Sequence, residues 1–303
     1  VSGVKYGIWN TALPDSAAVD ALQQAGYSPL TARVLAGRGC GTPQQAQELL
    51  CADAPLFDPF LLREMDRAVQ TVRQALQLGQ RIAVFGDSLM KGTLPDAQLR
   101  YHFHTDLFEA PLAGLHAEVT NRSVFGATSR KGVALVQRDL ARGHRYDWAL
   151  VEYGGNDCNY DWPDVAAHPE QDHDPVVLVD EFRANMAAIV QMLREAGIRP
   201  IFTTLPPIDE VKYLACIDHN GASAAGVMQW LGDVRRIYRT QERYSGLVRT
   251  IADELDVPCV DPRERFLDRG DPRALNADDG IHLSEAGYRL FYGALIEQVR
   301  AIV

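Results

Sequence analysis

Arg81-Ile82-Ala83-Val84-Phe85-Gly86-Asp87-Ser88-Leu89-Met90-Lys91-Gly92 is the stretch around which the rest of the chain can be read. An apolar run stops at a glycine, and Asp87 and Ser88 follow at once. A strand buried on both faces reads as such an uninterrupted run rather than as an alternating one. The polar pair then lies just past the carboxyl end of the strand, where open α/β sheets bind their ligands. A serine in that place has two uses: its hydroxyl can face a ligand, or it can cap the following helix. This stretch alone does not choose between them.

The same rhythm continues downstream. Strands are expected at Ile82–Phe85, Ala117–Thr120, Trp148–Tyr153, Pro200–Thr204 and Val257–Val260. Helical patterns lie between them, at about Lys131–Arg142, Val177–Ala196 and Gly226–Leu255, and a last helix runs from about Ser284 to Ile302. Apolar strands alternating with helices imply a parallel sheet covered on both faces. Two segments rich in Pro, Asp and His, Cys158–Pro175 and Leu205–Ala225, read as long loops, which at the carboxyl ends of strands shape binding sites.

Three further stretches carry chemistry. Val151-Glu152-Tyr153-Gly154-Gly155-Asn156-Asp157 again ends a strand. Its glycines admit a close ligand, and the Asn156 amide is a neutral donor pair; an Asx turn is the plainer use of the same residues. In Asn276-Ala277-Asp278-Asp279-Gly280-Ile281-His282-Leu283-Ser284, Asp279 stands three residues before His282, and Ser284 can cap the last helix. Across a tight turn that carboxylate can take the Nδ1 proton and leave Nε2 outward as a base; a solvated surface histidine is the alternative. The fourth stretch is Asn121-Arg122-Ser123-Val124-Phe125-Gly126, where Gly126 offers a backbone N–H or merely a turn.

Gly86-Asp87-Ser88, Gly126, Gly155-Asn156-Asp157 and Asp279-x-x-His282, in that order, resemble the four blocks of the SGNH (GDSL-type) hydrolases. The resemblance runs from about Arg81 to the C-terminus. It implies a three-layer α/β/α, flavodoxin-like fold with a five-stranded parallel sheet. It also implies a cofactor-free, metal-independent esterase. Ser88 would be the nucleophile, His282 the general base and Asp279 its orienting acid. The Ser88 N–H, the Gly126 N–H and the Asn156 amide would form the oxyanion hole. Asp87 and Asp157 would hold the strand-end turns. The Gly-x-Ser-x-Gly elbow of the α/β-hydrolases is absent from the sequence.

Residues 1–79 read differently, as a small helical segment ahead of a hydrolase domain at 80–303. Ser28-Pro29 and Thr42-Pro43 each pair a cap residue with a first-turn proline, and Asp58-Pro59 opens a longer amphipathic helix that Gly79 stops. Ser28-Pro29-Leu30, Thr42-Pro43-Gln44-Gln45-Ala46 and Asp58-Pro59-Phe60-Leu61-Leu62, running on into Ile82–Asp87, resemble the N-terminal leader of RecJ-type single-strand DNA exonucleases. That family's Asp-rich metal motif does not follow: Asp87 is succeeded by Ser-Leu-Met-Lys, and no Asp-His-His occurs downstream.

Composition narrows the function classes. A net charge of −10 and a pI near 5.3 argue against a generic nucleic-acid binder. Five scattered cysteines without a Cys-x-x-Cys fit neither a disulfide framework nor a zinc site. His102-Phe103-His104 with Asp106 has the right residue types for a metal, but on a helix alternate residues face different ways. Val1–Thr11 lacks a signal-peptide pattern, and no apolar run reaches membrane-spanning length. The expected substrate is a small-acyl or carbohydrate ester in the cytoplasm, with a RecJ-derived, non-catalytic nucleic-acid module as the alternative.

Overall fold

In the computed structural model of the chain, residues 14–50, 79–112, 115, 117–269 and 271–303 are described. The backbone divides into two units, Val1–Gln70 and Thr71–Val303. In the first, helices Ser16–Gln24, Pro29–Gly37 and Pro43–Leu50 bury Leu22, Ala32, Leu35, Cys40 and Ala46 against one another. The Ser28 hydroxyl caps the second of them by accepting from the Thr31 N–H at 3.2 Å. The helix expected after Asp58-Pro59 lies outside the described residues.

The second unit is built on seven strands: β1 (Arg81–Phe85), β2 (Thr93–Pro95), β3 (Tyr101–Phe103), β4 (Glu118–Asn121), β5 (Trp148–Val151), β6 (Arg199–Thr203) and β7 (Cys259–Val260). Five form one sheet, in the order β4-β1-β5-β6-β7, with every pair parallel. Counted within that sheet the order is 2-1-3-4-5, the flavodoxin-like arrangement, which reverses direction at its first strand. All five lie within two residues of the expected positions; β5 ends two residues early and β7 begins two residues late.

Period-two alternation assigns the two faces. Ala83 and Phe85 of β1 point to one core, with Ala149, Val151 and Phe202 and the helices Ser129–Ala141, Val179–Glu195 and Arg235–Glu254. Ile82 and Val84 point to the other, with Trp148, Leu150 and Ile201 and the C-terminal helix Glu285–Ile302. That helix buries Tyr288, Phe291, Tyr292 and Leu295, and the Ser284 hydroxyl caps it through the Gly287 N–H at 3.2 Å. Among the described residues no helix is long and apolar enough to cross a membrane.

Three local expectations need correction, and all three corrections bear on the site. Each segment read as a long loop folds a helix: Trp162–Ala167, capped by Asp161, and Glu210–His219, capped by Asp209. The stretch Gly226–Leu255 is two helices, Ala224–Leu231 and Arg235–Glu254, because Gly232 takes a left-handed φ of 69° and ends the first. These inserted helices pack together through Trp162, Val165, Tyr213, Ile217, Val227 and Leu231 in a cluster of their own. Finally, His102-Phe103-His104 is not helical. Tyr101–Phe103 is a strand that pairs antiparallel with Thr93–Pro95, and His102 bonds Asp96 of its own hairpin at 3.2 Å.

Candidate active site

The four blocks converge at the carboxyl ends of β1, β4 and β5 and on the turn before the C-terminal helix. Ser88 follows β1 with φ −66° and ψ −27°, and its side chain caps nothing. The capping is done by its neighbour: Asp87 Oδ1 accepts from the Leu89 N–H at 2.8 Å. The Ser88 hydroxyl is therefore released, and its Oγ lies 2.8 Å from His282 Nε2. On the far side of the ring, His282 Nδ1 lies 2.5 Å from Asp279 Oδ2. Ser88, His282 and Asp279 thus form one buried hydrogen-bonded chain.

The turn that carries His282 and Asp279 is fixed from several directions. Asp279 Oδ1 accepts from the His282 N–H at 3.0 Å and from the Ile281 N–H at 3.2 Å. The Ala277 N–H donates to the His282 carbonyl, and Asn276 pairs with Leu283 across the turn. Between them Gly280 adopts φ 78°, and a Cβ there would meet the Asp209 carbonyl oxygen and the Tyr213 nitrogen, each at 2.4 Å. Only glycine fits that position. Burial pushes the Asp279 carboxyl up, but the bond to His282, the charge of His282 and the two backbone N–H groups outweigh it. The carboxylate is held below its ordinary range.

The expected oxyanion donors are assembled too, with one complication. Gly126 takes φ 69°, and neither its N–H nor that of Ser88 has a hydrogen-bond partner among the described residues. Both hydrogens of the Asn156 amide are engaged: Nδ2 donates to Asp87 Oδ2 at 2.8 Å and to the Ala127 carbonyl at 3.1 Å. Asp157 anchors the same loop by accepting from the Ser129 N–H at 2.9 Å and from the Ser129 hydroxyl at 2.5 Å, at the start of helix Ser129–Ala141. Burial pushes Asp157 up to about 6 against those two bonds.

Glu152 is the residue that sequence reasoning passed over. It is fully buried, and its Oε2 accepts from the Asp87 N–H at 3.2 Å. Its Oε1 has no hydrogen-bond partner among the described residues. Burial, then the Asp87 charge, push the Glu152 carboxyl well above its ordinary value. Asp87 is raised as well, by burial. The extra proton of the pair belongs on Glu152, because Asp87 has the Leu89 N–H and the Asn156 amide to stabilise its charge. A glutamate at the end of an otherwise apolar strand was the available signal.

Beside Ser88 opens a cavity of about 60 Å³. Leu205, Ile208, Ile237 and Ile281 supply apolar wall, and the inserted helices close it with Trp162 and Tyr213. Those two rings are fastened to each other through Asn159, whose Oδ1 accepts from the Trp162 Nε1–H and from the Tyr213 hydroxyl, both at 2.8 Å.

The chain is similar to several known proteins. Residues 84–290 match the model of the GDSL-like lipase/acylhydrolase family. The chain is 26% identical to the GDSL esterase/lipase WDL1 of Oryza sativa over 212 residues, 68% of this chain and 74% of that protein. It is 25% identical to the isoamyl acetate-hydrolyzing esterase of Saccharomyces cerevisiae over 186 residues, 60% and 68% of the two chains. Among solved structures, the acetylxylan esterase Axe2 of Geobacillus stearothermophilus superposes with a TM-score of 0.51 at 21% identity, covering 74% of this chain and 96% of that one. A shorter match joins the chain to the single-stranded-DNA-specific exonuclease RecJ of Bacillus subtilis, 33% identical over 81 residues but only 10% of that protein. With a family model spanning two thirds of its length, the chain belongs to the GDSL-like lipase/acylhydrolase family.

Proposed function

We propose that this protein hydrolyses short-chain carboxylic esters through an acyl-enzyme on Ser88. The observation that carries the reading is the unbroken chain from Ser88 Oγ through His282 to Asp279, at 2.8 and 2.5 Å. His282 Nε2 takes the Ser88 proton as Oγ attacks the ester carbonyl, and it returns that proton to the departing alcohol. Water then repeats the sequence against the acyl group. Asp279, held ionised, fixes the tautomer and stabilises the imidazolium as it forms.

The oxyanion draws on the unpaired N–H groups of Ser88 and Gly126. Asn156 joins them by giving up its longer bond, to Ala127, while Asp87 keeps the amide aimed. Nucleophile, base and oxyanion donors all come from the chain, so no metal or cofactor is required. The small, largely apolar cavity beside Ser88 suits a small acyl group. The yeast relative, which acts on an acetate ester, favours the same choice. The scattered cysteines fit work in a reducing cytosol.

A burst of p-nitrophenol from p-nitrophenyl acetate, followed by slower turnover, is the expected kinetic signature. Rates should fall as the acyl chain lengthens beyond the cavity. Undiminished turnover by Ser88→Ala would sink the mechanism. The partial RecJ match supports a second reading, a nucleic-acid-associated module. It requires salt-sensitive binding of single-stranded DNA by the full chain, against a net charge of −10.

A further inference from the structure

Beside His282, and outside the lining of the cavity, the β2–β3 hairpin and the loop after β4 bring three aromatic rings together. Tyr101 packs against the imidazole with ring centres 5.1 Å apart. Phe125 lies nearly parallel to it, at 6.1 Å and 16°. Tyr101 and Phe125 touch at 5.1 Å, and Phe103 meets the edge of Phe125 at 6.2 Å. Phe103 and Phe125 remain 53% and 41% exposed. Leaving two neighbouring phenyl rings in water is unfavourable, and nothing in the packing of the sheet requires it.

The Lys91 ammonium completes the ledge. It sits 5.0 Å from the centre of the Phe103 ring and donates to the Ser123 carbonyl at 3.4 Å. An ammonium has three donors, so two remain for a ligand.

The chemistry assigns the two halves of an ester to different places. The departing oxygen must collect its proton from His282 Nε2, so the alcohol half lies against the imidazole. The cavity beside Ser88 is then left for the acyl half. The cavity limits the acyl group to a small one, whereas the ledge is open and leaves the alcohol free to be large. Resting on the hydrolase reading above, we propose that the Phe103–Phe125 ledge with Lys91 is the subsite for the alcohol half, and that it takes a sugar ring. A pyranose offers an apolar C–H face to the phenyl rings and hydroxyls to the ammonium. An alkyl alcohol would leave the two lysine donors unused.

The test compares an O-acetylated methyl pyranoside with ethyl acetate as substrates for the wild type, Phe103→Ala, Phe125→Ala and Lys91→Met. An aromatic contact of this kind is worth about three- to tenfold in affinity. Each phenylalanine variant should therefore lose about three- to tenfold more kcat/KM on the sugar ester than on ethyl acetate, through KM. Lys91→Met should shift the ratio in the same direction. Ethyl acetate turnover by each variant reports that it is folded. Equal losses on the two substrates, or a wild type that does not prefer the sugar ester, would overturn the ledge while leaving the hydrolase standing. A wild type inactive on both would overturn the hydrolase reading itself.

Discussion

Two regions of the site each bury a carboxyl group completely, and the protein treats them in opposite ways. In the turn before the C-terminal helix, Asp279 is 0% exposed and is held in its charged form. At the end of β5, Glu152 is also 0% exposed and keeps its proton. Burial acts in the same direction on both, so burial does not explain the difference. The donors do. Asp279 receives two backbone N–H groups and the His282 ring N–H. Glu152 receives one N–H, leaves an oxygen unpartnered among the described residues and faces the charge of Asp87. A fold can thus set the charge of a buried carboxyl by the number of N–H groups it aims there.

That contrast gives an ordered set of substitutions. Replacing Asp279 by Asn should have the largest effect. The amide keeps the shape but lets His282 hold the wrong tautomer, and kcat should fall by about 10⁴ in steady-state assays, as in a serine-protease triad. A loss below tenfold would mean that the charge of Asp279 is not needed. Next comes Asn156→Ala, which removes a donor and frees Asp87; kcat should fall by about 10²–10³. If KM rises while kcat holds, the amide serves substrate binding instead of the transition state.

Glu152→Gln should change kcat least, by less than about tenfold, since a neutral amide resembles the neutral acid already present. Its signature is in stability. A carboxyl that keeps its proton in the fold but loses it in the unfolded chain costs stability as pH rises from its unfolded value, near 4.5, toward its raised folded value. Glu152→Gln should therefore melt higher than the wild type at pH 8, with the gap closing at pH 4. An equal gap at both pH values would show that Glu152 is ionised in the fold. Asp157 follows the same sign over a narrower window, from its ordinary 3.8 to about 6.

Most of the five sheet strands were legible as apolar runs between polar stretches, and Ser88, Asp279 and His282 because they stand in short, ordered blocks. The hairpin was not. Thr93–Pro95 and Tyr101–Phe103 are three residues each, too short to show alternation, and Pro95 speaks against a strand. Its turn depends on the Asp96 carboxylate, which accepts from the Gln98 and Arg100 N–H groups. Those bonds and the side-chain hydrogen bonds from Arg100 and His102 hold that carboxylate well below its usual range. The helices in the two presumed loops were hidden for another reason. Trp162–Ala167 has six residues and borrows its stability from Tyr213 and Val227, far along the chain. The charge state of Glu152 and the two bonds of the Asn156 amide depend on neighbours that only the tertiary structure brings near.

The central claim is an acyl-enzyme on Ser88, formed with His282 as base. Intact-protein mass spectrometry after rapid acid quench with p-nitrophenyl acetate tests it most directly, followed by peptide mapping. One acetyl group per chain is expected, at Ser88 on the tryptic peptide Ile82–Lys91, and none in Ser88→Ala. Turnover with no covalent intermediate, or an acetyl group on a different residue in the wild type, would contradict it.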